Sequence, residues 1–173
     1  MSLVGFVRDS LDGLHKSLDD AVRDLTVEQL HWRANGKGVH IAFAVWHYAR
    51  TEDNVIQFAL QRKPTVWMDG KWDEKFGLDQ RAQGTGMSEE DAAKVRLTSA
   101  GDFLTYAQAV WKATDEYLSG LDDAQLEQKV PMGRMGEMPL SRLLGNTLMT
   151  HGYTHLGEVY LLRGLMGLKG GPV

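Results

Sequence analysis

Hydrophobic residues recur at every third or fourth position in four long stretches of the chain, with polar residues between them. That spacing collects the hydrophobic side chains along one side of an α-helix, so it predicts four long amphipathic helices. The first contains the repeat from Val4 to Leu25, and the others run over about residues 39–61, 99–119 and 140–165. We therefore expect an all-α protein.

The connections between these helices carry signals of their own. Residues 63–87 contain Pro64, four glycines and two tryptophans, and the segment is too long for a simple turn between helices. We expect the tryptophans to pack on the helices, and covering the mouth of a pocket is the alternative. Ser88 and Asp91 indicate the start of a short helix, whereas residues 130–139 predict a loop that includes a brief extended pair.

The composition is that of an ordinary globular protein, with 43% hydrophobic and 24% charged residues among 173. This length suits one domain, 1–173, with a substantial core. The net charge of −4, without a basic run, argues against nucleic-acid binding. No hydrophobic stretch approaches the ~18 residues of a membrane span, and residues 1–9 do not resemble a signal peptide. We therefore expect a cytoplasmic protein with no membrane partner.

Cysteine is absent from all 173 residues. This excludes disulfides, thiolate metal ligands and a cysteine nucleophile within these residues, and it suits a reducing compartment such as the cytoplasm. Any sulfur chemistry must therefore use a thiol that a substrate supplies.

The segment from Thr147 to Glu158 holds two histidines, His151 and His155, four residues apart. In a helix both imidazoles lie on one face, within an arc of roughly 100° that also contains hydrophobic residues. Two imidazoles that point into a core need hydrogen bonds or a shared cation. The pattern indicates a metal site, with a hydrogen-bonded pair as the alternative. The hydrophobic members of the arc are Leu140, Leu144, Leu148, Val159 and Leu162.

The second long helix offers a third histidine. His47 lies at the edge of the hydrophobic arc, from which it could meet His151 and His155 across the bundle. His40 is expected to be a solvated or singly hydrogen-bonded residue near the helix start. Glu52 points into the arc but is rotated by about 140° from His47. We therefore expect Glu52 to be a buried carboxylate with an arginine or hydroxyl partner, not a ligand of the same metal.

Several familiar enzyme classes do not fit the sequence. Glu28 and His31 form a single Glu-x-x-His pair, whereas a di-iron bundle needs two such pairs and two further glutamates. The His151–His155 segment lacks the glutamate that follows the first histidine in zinc proteases. No Gly-x-Ser-x-Gly, phosphate-binding loop or dinucleotide fingerprint is present in the sequence.

The fourth long helix contains Gly145, Gly152 and Gly157, each of which costs about 1 kcal/mol relative to alanine. Glycines are favoured where another backbone approaches closely. Tyr153 and Tyr160 add hydrophobic surface outside the core arc, so this helix has apolar residues on nearly every side. We therefore predict a homodimer contact on this face.

The segments VWHYARTEDNVI in the second helix and HGYTHLGEVYLLRG in the fourth resemble the DinB-like (DinB/YfiT) superfamily of proposed metalloenzymes. The resemblance covers essentially the whole chain. It implies a four-helix bundle with an up-down-down-up course, in which the 63–87 connection is the crossover between parallel second and third helices. It also implies one divalent metal ion held by His47, His151 and His155.

Three neutral imidazoles leave one to three positions of a divalent ion open, which is typical of catalytic rather than structural sites. We favour zinc or nickel, with iron, cobalt or manganese as alternatives. Glu158, one turn beyond His155, is a candidate catalytic residue that orients a ligand, holds a metal-bound water or acts as a base. A polar residue at the pocket rim is the alternative. We expect Tyr48, Asn54 and Thr147 to line the pocket.

Three functions stay open at this point. The first, implied by the resemblance, is an enzyme that uses a low-molecular-weight thiol, such as mycothiol or bacillithiol, for S-transfer or isomerisation of a small electrophile. The second is metal-dependent hydrolysis by a metal-bound hydroxide. The third is a non-catalytic, stress-associated metal-binding protein. We favour an enzyme with a small-molecule substrate, and thiol transfer over hydrolysis.

Overall fold

A computed structural model describes residues 2–131 and 136–171, and most of them are helical. The helices are α1 (Leu3–Val22), α2 (Val27–Leu30), α3 (Ile41–Asp53), α4 (Val66–Asp69), α5 (Trp72–Phe76), α6 (Glu89–Ala92), α7 (Ala100–Ser119), α8 (Leu140–Arg142) and α9 (His151–Leu165). Two 3-10 segments cover Ala34–Gly36 and Asp123–Glu127, and two π-helical segments cover Asn54–Leu60 and Leu143–Thr150. Two strands, β1 (Lys129–Pro131) and β2 (Glu137–Pro139), complete the described structure.

The long helices pack around a common hydrophobic core. Helix α1 contacts α7 and α9, and α3 contacts the same two helices. Each long helix buries hydrophobic residues against the others, for example Leu14 of α1, Trp46 of α3, Phe103 of α7 and Val159 of α9. Burial of one such side chain stabilises the fold by about 1.5–3 kcal/mol. Within the described residues, no helix has the length and hydrophobicity needed to cross a bilayer.

The second and fourth long helices are not α-helical throughout. Helix α3 continues directly into the π-helical segment Asn54–Leu60, and the segment Leu143–Thr150 joins α8 to α9. The predicted spans of about 39–61 and 140–165 are therefore helical, but each contains a wider turn that hydrophobic periodicity does not reveal. Such π-helical turns occur frequently at functional sites.

The connection after the second helix is tied to the core by one buried carboxylate. Asp53, at the end of α3, accepts hydrogen bonds from the backbone N–H groups of Val66 and Trp67, both at 2.9 Å. The hydroxyl of Tyr106 donates to the same carboxylate at 3.1 Å. Trp67 is completely buried, and its ring packs against Trp46. This tryptophan therefore packs on the helices, as its sequence context predicts.

The extended pair predicted in residues 130–139 is a two-stranded antiparallel sheet. Strand β1 pairs with β2 in a register that sets Val130 opposite Met138. Residues 132–135, which connect the strands, lie outside the described part of the chain. The backbone N–H of Leu140 donates to the carbonyl of Gln128 at 2.9 Å, so the sheet leads directly into the fourth long helix.

The structure corrects the role that we predicted for Gly152. A Cβ atom on this residue would lie 2.4 Å from Leu14 Cδ2 and 2.7 Å from two ring carbons of Tyr48. The close approach at Gly152 is therefore made within the chain, not to a second subunit. Gly145 and Gly157, by contrast, have open space where a Cβ would lie.

Candidate metal centre

Three histidines from two helices converge on one point. His47 lies in α3, and His151 and His155 lie one turn apart in α9. Each offers one ring nitrogen, and these three atoms all lie within 4.8 Å of one another. The Nε2 atoms of His151 and His155 are 2.9 Å apart. The His47 ring centre is 5.0 Å from that of His151 and 5.3 Å from that of His155.

Two of the rings are oriented by acceptors on the side away from the cluster. The Nδ1 atom of His47 is hydrogen-bonded to the backbone carbonyl of Gln83. The Nδ1 atom of His155 lies 2.7 Å from the Glu158 carboxylate. An Nδ1–H that donates to oxygen leaves the lone pair of a neutral imidazole on Nε2, and metal-binding histidines are commonly held in this way. Both rings therefore present Nε2 as the free ligand atom.

The third ring has a comparable arrangement. The backbone carbonyl of Thr147 accepts a hydrogen bond from the His151 ring. Burial and the neighbouring rings of His155 and His47 lower the pKa of His151 from 6.5 to about 4, although the hydrogen bond to Thr147 acts in the opposite direction. Burial also lowers the pKa of His47. Both rings are thus neutral at pH 7, the state in which imidazole binds metals.

A cavity of about 790 Å³ opens beside the histidines. Both π-helical segments contribute to its wall, so the two irregular turns face the same space. Asn54 and Thr147 are among the lining residues, together with His47 and His151. The other residues around the cavity are Thr51, Val55, Phe58, Ala59, Arg81, Gln83, Thr85 and Asn146.

Two predicted site residues lie elsewhere. Tyr48 is not among the residues around the cavity, because it is buried in the core behind His151, with ring centres 6.0 Å apart. Glu158 is also outside the cavity wall, and its carboxylate faces His155. The hydrogen bond from His155 is the largest cause that lowers the pKa of Glu158 below its usual 4.5, so this group is ionised at neutral pH.

Glu52 is a buried carboxylate outside the cluster, and its histidine partner was not predicted. Glu52 has no exposed surface. Its carboxylate accepts a hydrogen bond from the Thr114 hydroxyl at 2.5 Å and lies 3.0 Å from His15 Nε2. The hydroxyl partner that we expected is therefore present, whereas histidine takes the place of arginine. His15 lies within the hydrophobic repeat of α1, and this position in the sequence indicates a buried histidine that needs a polar partner.

His40 does not join the cluster. Its Nδ1 atom accepts a hydrogen bond from the backbone N–H of Phe43 at 3.0 Å, so the ring caps the start of α3. The residue has no exposed surface, which excludes the solvated alternative. Its Nε2 atom also lies 3.3 Å from Arg96 Nη1, so the ring has two partners and not the single one that we expected. Gln83 was missed, because a backbone carbonyl in an irregular connection carries no signature in its side chain.

The donor set fits a divalent transition metal. Metal–imidazole bonds of about 2.0–2.1 Å at angles of about 90–110° place two nitrogens about 2.8–3.4 Å apart. The 2.9 Å between the Nε2 atoms of His151 and His155 lies within this range. Imidazole suits zinc, nickel, copper and iron, whereas magnesium and calcium prefer oxygen ligands. In the described part of the chain, no fourth histidine, aspartate or glutamate belongs to this group.

The family model of the DinB superfamily matches residues 10–159, a span that contains all three histidines. The chain belongs to the DinB superfamily. The resemblance drawn from the second and fourth helices is thereby confirmed. No curated protein matches the chain.

Two solved structures share the fold of this DinB-superfamily chain. A conserved protein from Enterococcus faecalis superposes with a TM-score of 0.79 at 23% identity, and the match covers 96% of this chain and 99% of that one. A DinB-like protein from Bacillus cereus ATCC 10987 superposes with a TM-score of 0.64 at 24% identity, over 99% and 97% of the two chains. At these identities the likeness concerns the fold alone.

Proposed function

We propose that this DinB-superfamily chain is a metal-dependent enzyme in which the Nε2 atoms of His47, His151 and His155 bind one divalent ion. The convergence of three imidazoles, each with an acceptor for its other nitrogen, carries the proposal. Ligands that are oriented in advance lose little freedom when an ion binds. A structural site would be closed by a fourth protein ligand, and the described residues add none to this cluster.

Zinc or nickel is the proposed ion, and iron, cobalt and manganese are the alternatives. Such an ion supplies positive charge that lowers the pKa of a thiol or water bound to it. His47 and His151 line the cavity, which supports open positions that face a space for a small molecule. We assign Glu158 a positioning role, because its carboxylate is engaged by His155 and lies outside the cavity wall.

Within this reaction class we favour the transfer of a low-molecular-weight thiol to a small electrophile, or a thiol-dependent isomerisation. The chain has no cysteine, so a sulfur nucleophile has to arrive as a cosubstrate. The cavity of about 790 Å³ is within the size range of small-molecule sites. Its wall combines hydrophobic residues such as Val55 and Phe58 with polar residues such as Asn54, which suits a thiol cosubstrate with polar groups beside a less polar electrophile.

Metal binding is tested by elemental analysis of untagged protein that has been stripped with a chelator and reloaded. We expect one equivalent of zinc or nickel in the wild type and a large loss in His47→Ala, His151→Ala and His155→Ala. His31→Asn is the matched control, because His31 lies outside the cluster and its Nε2 accepts from the Leu97 backbone. A wild-type protein that takes up no divalent metal contradicts the proposal.

The reaction class is tested with the metal-loaded protein, a panel of bacterial thiols and small electrophiles. Thiol-dependent consumption of an electrophile that disappears in His155→Ala supports thiol transfer. Turnover of ester or amide substrates without added thiol assigns the site to hydrolysis instead. A metal that raises the melting temperature but supports neither reaction assigns it to a non-catalytic role.

We also infer that the long helices form one up-down-down-up bundle and one domain over residues 1–173. Two hydrogen-bonded pairs join α1 to α7, and the pair that lies later in α1 lies earlier in α7, which supports an antiparallel arrangement. Two further pairs join α1 to α9, and the pair that lies later in α1 also lies later in α9, which supports a parallel arrangement. The pairs are Arg8–Asp115 and Asp19–Gln108 for α7, and Ser10–Tyr153 and Ala21–Arg163 for α9.

A homodimer through the outer side of α9 is part of the same proposal. Leu161 and Leu165 are 63% and 55% exposed, and Tyr153 on the same helix is 46% exposed. Large exposed hydrophobic side chains on one helix favour a partner surface. Light scattering of the purified protein should give the mass of a dimer, and Leu161→Glu should give a monomer. A wild-type monomer contradicts this part of the proposal.

A further inference from the structure

Gly152 follows the first histidine of α9, and it is the glycine of this helix that cannot be replaced without a clash. A Cβ atom there would lie 2.4 Å from Leu14 Cδ2 and 2.7 Å from both Cε2 and Cζ of Tyr48. Gly157 and Gly164, in the same helix, have nothing within 4 Å of that position. A helical glycine costs about 1 kcal/mol relative to alanine. At position 152 the missing Cβ makes room for another side chain.

The side chain that uses this room is Tyr48. It is 1% exposed, it directly follows His47 in α3, and it packs against the turn of α9 that begins with His151. Its ring meets the His151 ring edge-on, with centres 6.0 Å apart and planes at 69°. The tyrosine therefore fills the space between the helix that carries His47 and the turn that carries His151.

We propose that Tyr48, whose ring fits because residue 152 has no Cβ, is a positioning residue that orients the His151 ring relative to the rings of His47 and His155. This inference rests on the proposed metal site. The packed ring limits how far α9 can approach α3 and how far the His151 ring can turn. Because protein interiors are close-packed, a change of a few tenths of an ångström at this contact moves the neighbouring groups.

The aromatic ring, not the hydroxyl, makes this contact. The Tyr48 hydroxyl is buried on the side of Glu52, without reaching hydrogen-bonding geometry to any described residue. Replacement by phenylalanine keeps the ring and removes the hydroxyl, whereas replacement by leucine removes the ring. The two substitutions therefore separate positioning of His151 from any role of the hydroxyl.

The test is metal affinity, measured by competition with a chromophoric chelator for zinc, together with the visible spectrum of the cobalt-loaded protein. We expect Tyr48→Leu and Gly152→Ala to weaken zinc binding by about 10–100-fold, as other changes around metal ligands do, and to alter the cobalt spectrum. Tyr48→Phe should keep both the affinity and the spectrum of the wild type. Gly157→Ala is the matched control and should behave as the wild type.

Two outcomes would overturn the inference. The first is a folded Tyr48→Leu protein with the zinc affinity and cobalt spectrum of the wild type, even if its melting temperature is lower. The second is a loss of affinity in Tyr48→Phe as large as that in Tyr48→Leu. If Gly152→Ala does not fold, the two Tyr48 variants decide the matter. A wild-type protein that binds no metal instead refutes the proposed function, so the two failures are distinguishable.

Discussion

The Nδ1 atom of His155 lies 2.7 Å from the Oε2 atom of Glu158, three residues further along α9. This contact holds the ring so that its Nε2 faces His151. A carboxylate that accepts from a ligand histidine fixes the tautomer and raises the basicity of the nitrogen that binds the metal. Glu158 is thus placed to act on the proposed metal through His155.

We expect Glu158→Gln to weaken zinc binding by about 10–100-fold without abolishing it, because the imidazole keeps its position but loses a charged acceptor. His155→Ala should have a larger effect. Competition with a chromophoric chelator measures both affinities, and the exposed Glu116→Gln is the control. Unchanged zinc affinity with lost turnover in Glu158→Gln would instead favour a direct catalytic role for this carboxylate.

The buried pair of His15 and Glu52 predicts a large effect on stability. Burial raises the pKa of Glu52, but His15 and the Thr114 hydroxyl act against it, and the net pKa lies below the usual 4.5. The lowered pKa means that the contribution of Glu52 is complete above about pH 4.5 and is lost as pH falls through the lower, folded-state pKa.

We expect His15→Leu to lower the free energy of unfolding at pH 7 by about 3–5 kcal/mol, because it leaves a buried charge without its partner. In this variant burial dominates and the pKa of Glu52 rises, so the deficit should shrink as pH falls from 7 towards 5. Urea denaturation at both pH values measures this. The exposed Glu116→Gln is the control, and it should change the free energy of unfolding little, because Glu116 pairs with Lys112 on the surface. A deficit that does not change with pH would contradict the prediction.

His40 predicts a separate dependence of stability on pH. Burial first, and then the neighbouring His31 and Arg96, lower the pKa of His40 from 6.5 to about 4. The unfolded chain therefore takes up a proton more readily than the folded one, and stability is lost as pH falls from about 6.5 towards 4.

We expect His40→Asn to reduce this acid destabilisation, because asparagine can still cap α3 but does not titrate in this range. Between pH 7 and 4 the metal-free wild type should lose on the order of 2 kcal/mol more than the variant. Urea denaturation of both metal-free proteins measures the difference. Parallel stability profiles would show that His40 is not responsible.

Asp53 predicts a link between the 63–87 connection and the metal centre. Asp53→Ala removes the acceptor for the backbone of Val66 and Trp67, and a buried donor without a partner costs about 1–3 kcal/mol. We expect faster proteolysis of the connection and weaker zinc binding, since Gln83 in that connection orients His47. The exposed Asp69→Ala, in the same connection, is the control. Unchanged proteolysis would show that other contacts hold the connection.

Local pattern was sufficient for part of this architecture. Ser88 caps the start of α6 as the sequence indicates, because its hydroxyl contacts only the first turn of its own helix, where it accepts from the backbone N–H of Asp91 at 3.1 Å. His151 and His155 share a face for the same reason: their separation is one helical turn. The π-helical turns were not predictable, because hydrophobic spacing does not distinguish one wider turn from the α-helical turns around it.

The sequence by itself determined the helical class, the family, and the shared face of His151 and His155, since each follows from periodicity or motif within one helix or two. Only the tertiary structure decided which groups support them. Three contacts each join distant segments: the Gln83 carbonyl to His47, His15 to Glu52, and the Tyr48 ring to Gly152. Such contacts depend on how the helices are rotated and packed against one another. A shift of one residue along a helix rotates its side chains by about 100°, which would separate these groups.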